Sequence, residues 1–257
     1  MTDALVATLN RAGFQPVFLP QTGLVPPELY NFTSKNHKPL LVRRGPFSRY
    51  LPQAAELTVH RSSLADISHQ RSSSKGLSAS ADFLSQCLAC LGISGVPKLD
   101  LSFTGTSKLV FAFHDVFSLR VDPADIDHVL TDLDLGAIPD DYVDRGFLHI
   151  AYEYAFAGSV LMQREDGHDF TLQGDAHLAS LVNVGAGVKA RLADSNTISF
   201  DTAEKAELPA FAYRAGRLTR DSRWRFYPEE TYRSGADTVQ QPYVLRRGIV
   251  LDAETAD

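Results

Sequence analysis

"FLHIAYEYAFAGSVLM", residues 147–162, alternates for longer than a soluble strand usually needs. Successive side chains of a strand point to opposite faces, so Leu148, Ile150, Tyr152, Tyr154 and Phe156 are expected to point one way. Phe147, His149, Ala151, Glu153 and Ala155 then point the other way. One face is a continuous apolar and aromatic band, and the other is mostly small or polar. The alternation holds for about ten residues, whereas strands of globular domains are mostly five or six. About ten is also the length of a strand that crosses a bilayer. The stretch reads either as the core face of a large soluble sheet or as a strand able to enter a membrane.

Composition narrows the choice without making it. A chain of 257 residues with 44% hydrophobic and 22% charged residues is ordinary for a globular protein. Its wholly apolar runs are too short for a transmembrane helix. The start, "MTDALVATLNRAG", lacks the basic and apolar regions of a signal peptide. Cys87 and Cys90 sit too close together to staple a fold, so the chain is expected in the cytoplasm. Residues 1–60 carry six Lys/Arg against three Asp/Glu, and residues 121–180 carry two against thirteen. A basic first quarter thus faces an acidic middle. The net charge of −6 argues against duplex nucleic acid as a partner.

Outward from the quoted stretch, the pattern is mixed. Residues 2–12 read as a helix with Gly13 as its stop. "FQPVFLP" and "KPLLVRRG" read as short strands separated by a Pro-rich loop. "ADFLSQCLACLG" reads as a short helix, and "LDLSFTGTSKLVFAFHDVFSLRV" as two alternating runs around a Gly-containing break. "DPADIDHVLTDLDL" predicts an acidic helix: Asp122 caps, Pro123 takes the first turn, and Ile126, Val129, Leu130 and Leu133 form the buried stripe. A further helix is expected over residues 175–182, and "AFAYRAGRL" with "RWRFYP" predicts a closing strand pair. The class is α+β, a long twisted antiparallel sheet with helices packed on it.

Catalytic signatures are missing: there is no Gly-x-Ser-x-Gly elbow, phosphate-binding glycine loop or paired-histidine zinc motif. Cys87-Leu-Ala-Cys90 lacks the further ligands a zinc site needs and reads as two buried thiols. The carboxylates between Asp122 and Asp144 lack calcium-loop spacing and read as a solvated helix face. His114-Asp115 and His168-Asp169 are fragments of a general base without a nucleophile. No catalytic residue, metal or cofactor is expected, and the chain is not expected to be an enzyme.

The order of elements over residues 78–161 carries a resemblance. A short helix "ADFLSQCLACLG" is followed by "KLVFAFHDV", by "SLRVDPADIDHVLTDLDL" and by "RGFLHIAYEYAFAGSVL". This order resembles a gasdermin pore-forming domain, most of all the short bacterial gasdermins. "LPAFAYRAGRLTRDSRWRFYP", residues 208–228, is similar to the closing strands of that family. The resemblance implies an autoinhibited cytoplasmic protein with a pore-forming domain, residues 1–228, and a C-terminal inhibitory tail, residues 229–257. Removal of the tail by an activating protease, caspase-like or trypsin-like, frees the domain to bind anionic lipids of the inner membrane. The freed domain forms a large homo-oligomeric ring, inserts long hairpins and kills the cell, which in bacteria defends the population against phage.

Physics supports membrane strands independently, because a spanning strand needs a closed barrel and an apolar lipid face alternating with a wet one. The quoted strand meets that pattern. Its partner is expected within residues 184–200, where Val184, Val188 and Leu192 alternate with Gly or charge. A second hairpin is expected from residues 56–75 and 101–121, the latter carrying Leu109, Phe111 and Phe113. Lys35, Lys38, Arg43, Arg44 and Arg49 form a basic group suited to anionic lipid heads. In the tail, Arg233, Ser234, Gly235 and Asp237 mark an exposed cleavage region, with Arg247 as a second site. Tyr243, Val244, Leu245, Ile249, Val250 and Leu251 are the expected inhibitory contacts. Some bacterial gasdermins carry an acylated cysteine near the N-terminus; this chain has none there, so no lipidation is expected. The alternation also fits a soluble binding or scaffold protein whose long sheet is ordinary core.

Overall fold

In the computed structural model the quoted stretch forms a single strand of 17 residues, Leu148–Arg164. Leu9 and residues 12–17, 22–35, 38–69, 109–134, 136–144, 148–164, 189–194, 197–202, 207–220, 222–228 and 251–252 are described. Twelve strands among them form one sheet. They are β1 (Gln15–Pro16), β2 (Glu28–Lys35), β3 (Lys38–Pro46), β4 (His60–Ser63), β5 (Ile67–His69) and β6 (Leu109–Arg120). Then follow β7 (Leu148–Arg164), β8 (Lys189–Asp194), β9 (Thr197–Asp201), β10 (Ala212–Arg220), β11 (Trp224–Pro228) and β12 (Leu251–Asp252). Two short helices with both ends among the described residues, α1 (Pro123–Val129) and α2 (Asp140–Asp144), are accompanied by 3-10 turns at Phe47–Arg49, Pro52–Glu56 and Leu130–Asp132.

The sheet is two sheets laid end to end along β7. One edge of β7 pairs with β2 through Leu148 to Ala151, then with β6 from Glu153 to Arg164. The other edge pairs with β10 from Leu148 to Ala155, then with β9 from Ser159 to Gln163. The first half continues outward to β3 and β12 on one side and to β1 and β11 on the other. The second half continues to β8 on one side and to β4 and β5 on the other. Only the β3–β12 pairing among these ladders is parallel.

A β-bulge corrects the simple period-2 reading of β7. Arg214 faces Glu153 but Ala215 faces Ala151, which leaves Tyr152 as the extra residue. An extra residue reverses the facing of everything beyond it. Leu148, Ile150 and Tyr152 accordingly pack with Ile126, Leu130 and Phe226 under the helices. Tyr154 and Phe156 pack instead with Val17, Tyr30 and Tyr213. The five residues expected on one face are divided between two cores, and residues 148–157 are buried throughout.

Other local readings fare unequally. α1 follows its sequence signals: the Asp122 side chain accepts from the Ala124 N–H at 2.9 Å, Pro123 opens the helix, and Ile126 is buried. Gly13 has φ 84°, the left-handed stop expected after a helix that includes Leu9. The Pro-rich loop is corrected: Glu28–Lys35 is a strand paired to β3 over its whole length. Two prolines ahead of it hid an alternation of Leu29 and Asn31 against Tyr30 and Phe32. The expected helices at residues 81–92 and 175–182 lie outside the described residues.

The ladder between β6 and β7 is interrupted at Asp115 and Gly158, between the pairs His114–Ser159 and Val116–Ala157. Asp115 has φ 53°, a left-handed conformation that few non-glycine residues adopt. The Gly158 carbonyl accepts from the Thr202 backbone N–H at 2.8 Å and its hydroxyl at 2.7 Å. A Cβ on Gly158 would lie 2.9 Å from the Asp115 Cβ, closer than packed carbons approach. Gly158→Ala should lower stability by about 1–3 kcal/mol in a thermal melt. Asp115→Gly should be neutral or stabilising by about 1 kcal/mol, because it removes the φ penalty. An unchanged melt for Gly158→Ala would show that the crossing is not tight.

Candidate functional site

The interior of the first half holds a charged cluster around Glu28. Period-2 geometry places Glu28 and Tyr30 on the same face of β2, and the next strands bring Arg43 and Tyr154 to them. Glu28 is 1% exposed, and a carboxylate so buried requires charged and hydrogen-bonding partners. Arg43 supplies a two-pronged contact: Nε donates to Oε2 at 2.9 Å and Nη2 donates to Oε1. The Tyr154 hydroxyl lies 2.9 Å from Glu28 Oε2, the Tyr30 hydroxyl 3.1 Å from it, and the two hydroxyls 2.7 Å apart. Two phenolic protons serve these three contacts, so two are filled at a time. Burial, with the Glu28 carboxylate adding to it, holds the Tyr30 hydroxyl well above the usual phenol range. Tyr30 therefore stays a neutral donor. The cluster ties β2, β3 and β7 together.

A second ion pair fixes the neighbouring edge. Arg214 Nη1 donates to Glu153 Oε2 at 3.0 Å, while its other nitrogens donate to the carbonyls of Ala12 and Gly13. Its guanidinium also lies 4.2 Å over the Phe14 ring, which holds the N-terminal turn against the sheet. His114 pairs with Asp66 at 2.7 Å rather than with Asp115, on an exposed surface. Among the described residues no group of three His, Cys, Asp or Glu is placed to hold a metal, and no helix is long and apolar enough to cross a membrane.

The residues singled out from sequence are spread across this frame. Lys35 and Lys38 face each other at the tip of the β2–β3 hairpin. Arg43 is engaged by Glu28. Arg44 donates to Asn31 Oδ1 at 2.7 Å with its guanidinium 4.4 Å over the Tyr142 ring. Arg49 is exposed. Leu109 and Phe111 lie in β6 opposite Arg164 and Met162 of β7. Phe113 is buried, its ring stacked 4.4 Å from that of Phe211. Leu192 lies in β8, which pairs with β9 instead of β7, so the neighbour of β7 from this region is Thr197–Asp201, one residue past the expected 184–200. Val184, Val188, Arg233, Ser234, Gly235, Asp237, Tyr243, Val244, Leu245, Arg247, Ile249 and Val250 lie outside the described residues, as do Cys87 and Cys90. Leu251 is in β12, opposite Leu41 of β3.

Sequence reading passed over Glu28 and Gly158. Their signals were a lone carboxylate between Pro27 and Leu29 in an otherwise uncharged run, and a glycine interrupting a long apolar strand. Glu28→Ala should lower stability by about 3–5 kcal/mol, because it leaves Arg43 and two phenols without their acceptor. Tyr154→Phe removes one neutral donor and should cost only about 1 kcal/mol. Because the folded value of Tyr30 is raised, its contribution is full below about pH 10 and is lost as pH rises through that folded value. Denaturant melts at neutral and alkaline pH measure all three. A Glu28→Ala loss no larger than that of Tyr154→Phe would refute the clamp.

Comparison with known proteins places this architecture. The family model described as Bacterial Gasdermin Family matches residues 17–225. The protein named Gasdermin bGSDM from Piscinibacter sakaiensis is 35% identical over 260 aligned residues, spanning 98% of this chain and 95% of that one. The structure of a bacterial gasdermin from Bradyrhizobium tropiciagri superposes with a TM-score of 0.53 at 12% identity, over 89% of this chain and 92% of that one. At that identity the superposition speaks for the fold alone, while the family model and the Piscinibacter relative each span most of the chain. The chain belongs to the bacterial gasdermin family.

Proposed function

We propose that this protein is a pore former held in its soluble state by its own C-terminal segment. A protease of caspase-like or trypsin-like specificity cuts within residues 229–257, most favourably at Arg233 to Asp237. The freed domain leaves the cytoplasm for anionic lipids of the inner membrane, assembles with further copies into a ring and inserts strands. Loss of the membrane barrier then kills the cell, as a defence against phage. The protein works without catalysis of its own.

The observation that carries this reading is the return of the chain to the sheet. Leu251 and Asp252 pair in parallel with Leu41 and Val42, so the C-terminal segment touches an edge strand of the first half. Parallel pairing is the weaker kind, and the two residues of it among the described ones make a contact that cutting the chain can release.

The second half of the sheet supplies strands able to re-pair. All four residues of β4 are exposed, so β4 is held by its ladder to β6 and by little burial. Lys189 and Arg191 of β8 are exposed as well. Segments with few buried contacts open at the lowest free energy. Residues 70–108 connect β5 to β6, and residues 165–188 connect β7 to β8. Each length exceeds the two strands of about ten residues that a spanning hairpin needs.

Dye release from anionic liposomes tests the reading, comparing the intact chain with one cut at an engineered protease site after Arg233. Release should follow cleavage and be absent before it. Tight liposomes after a verified cut, across several anionic lipids, would instead support a soluble binding or scaffold protein with an ordinary core sheet.

A further inference from the structure

The two faces of the β10–β11 hairpin differ in charge. Residues 214–227 carry five arginines and one carboxylate, in a chain of net charge −6. Arg214 and Arg220 are held by Glu153 and Asp140. Arg217, Arg223 and Arg225 are exposed. Pairing sets Arg217 opposite Tyr227 and Thr219 opposite Arg225, so these four side chains share one face of the hairpin. Tyr227 on that face is a large residue left 49% exposed. The other face carries Leu218, Trp224 and Phe226 into the core under α1 and α2. The exposed acids of those helices, Asp125, Asp127, Asp140 and Asp141, therefore lie on the side away from Arg217 and Arg225.

We infer that this face of β10–β11 is a surface on which the protein meets an anionic membrane. Arg217, Arg223 and Arg225 take lipid phosphates, and Tyr227 rests at the level of the heads. The inference rests on the proposed move to anionic lipids and names residues that make the contact. It replaces part of the basic group read from the sequence, because Arg43 is engaged by Glu28 and Arg44 by Asn31 and Tyr142. A chain of negative net charge approaches a negative surface only where its cations are gathered, since its other sides are repelled. The arginine side also suits the strands. Arg217 faces His149 of β7, and Ala151, Tyr154 and Phe156 follow on the same side, on either flank of the bulge. Alternation continues that side to Val160, whose cross-strand neighbours are Phe113 and Phe200. All three are buried apolar residues. A membrane on the arginine side thus lies where the apolar residues of the second half point.

Vesicle sedimentation tests this with the full chain carrying the protease site after Arg233, cut before mixing. Vesicles of phosphatidylglycerol and phosphatidylethanolamine are compared with phosphatidylcholine alone, and dye release is read on the same samples. Arg223→Gln with Arg225→Gln should weaken binding to the anionic vesicles roughly 25-fold, about fivefold for each charge lost near the surface. Its thermal melt should match that of the parent, because both side chains are exposed. Arg223→Lys with Arg225→Lys should keep most of the binding, and dye release should follow binding in each variant. A loss below about threefold in the glutamine variant would overturn the inference. A larger loss from Lys35→Gln with Lys38→Gln would overturn it too and move the contact to the β2–β3 tip. Strong binding of the cut parent without dye release would defeat the pore reading and leave this surface standing. No binding of the cut parent to anionic vesicles would defeat this inference and the proposed move to lipid together.

Discussion

Every described strand is positioned, directly or through one or two neighbours, by hydrogen bonding along both edges of β7. Four strands share that one backbone, two on each edge, so its 17 residues set the register of both halves of the sheet. A strand so placed has no edge to offer and no face to water over residues 148–157. The two halves differ sharply in what surrounds it. In the first, helices and turns cover one face and the β1 segment with Leu24 and Leu208 covers the other. In the second, the outer strands β4 and β8 carry exposed residues. One strand therefore belongs to a firmly packed region at its start and, at its end, to one whose core is flanked by exposed outer strands, with Gly158 at the boundary.

The buried Glu28 explains why the first half needs such cover. Moving a carboxylate from water into an apolar interior costs several kcal/mol even after relaxation, and the partners must return most of it. Arg43, Tyr30 and Tyr154 do so only while β2, β3 and β7 keep their register, since each strand contributes a different atom to the cluster. A one-residue slip of β7 would send Tyr154 to the opposite face and leave Glu28 short of a donor. The bulge at Tyr152 is what delivers Tyr154 to that side. Bulge and buried carboxylate are thus one arrangement, and they make the soluble register specific as well as stable.

Sequence patterns revealed the elements more readily than their relations. α1 was legible because cap, proline and buried stripe are all local, and β10 with β11 because alternation and turn lie within one short segment. β2 was not legible: Pro26 and Pro27 are strong loop signals, and the strand exists because β3 and β7 pair with it. The two-faced packing of β7 was also hidden. Alternation of Leu148, Ile150, Tyr152, Tyr154 and Phe156 describes a regular strand, and only the partner register with β10 inserts the extra residue. The same holds for Asp115 and Gly158, whose importance lies in a close approach between strands far apart in sequence. That Leu251 lies against the edge at Leu41 is a fact of topology that no local pattern could show.

Among the described residues the contact at that edge is two residues of ladder, and a contact of that length has consequences for how such a segment would act. Two residues of parallel ladder would scarcely bind if offered as a free peptide. Tethered to the chain, the same residues act at a local concentration in the millimolar range, so a weak contact can keep an edge occupied. Under the proposed activation the tether is also what a protease would remove, without touching the contact. Occupancy would then fall by dilution alone, while the sheet, its buried carboxylate and its shared strand stay as they were. A strongly bound segment would defeat this arrangement, because it would remain in place after the cut. In the proposed activation, pairing at β12 and firm packing around Glu28 would be complementary: the first would permit release, and the second would ensure that what is released is still folded.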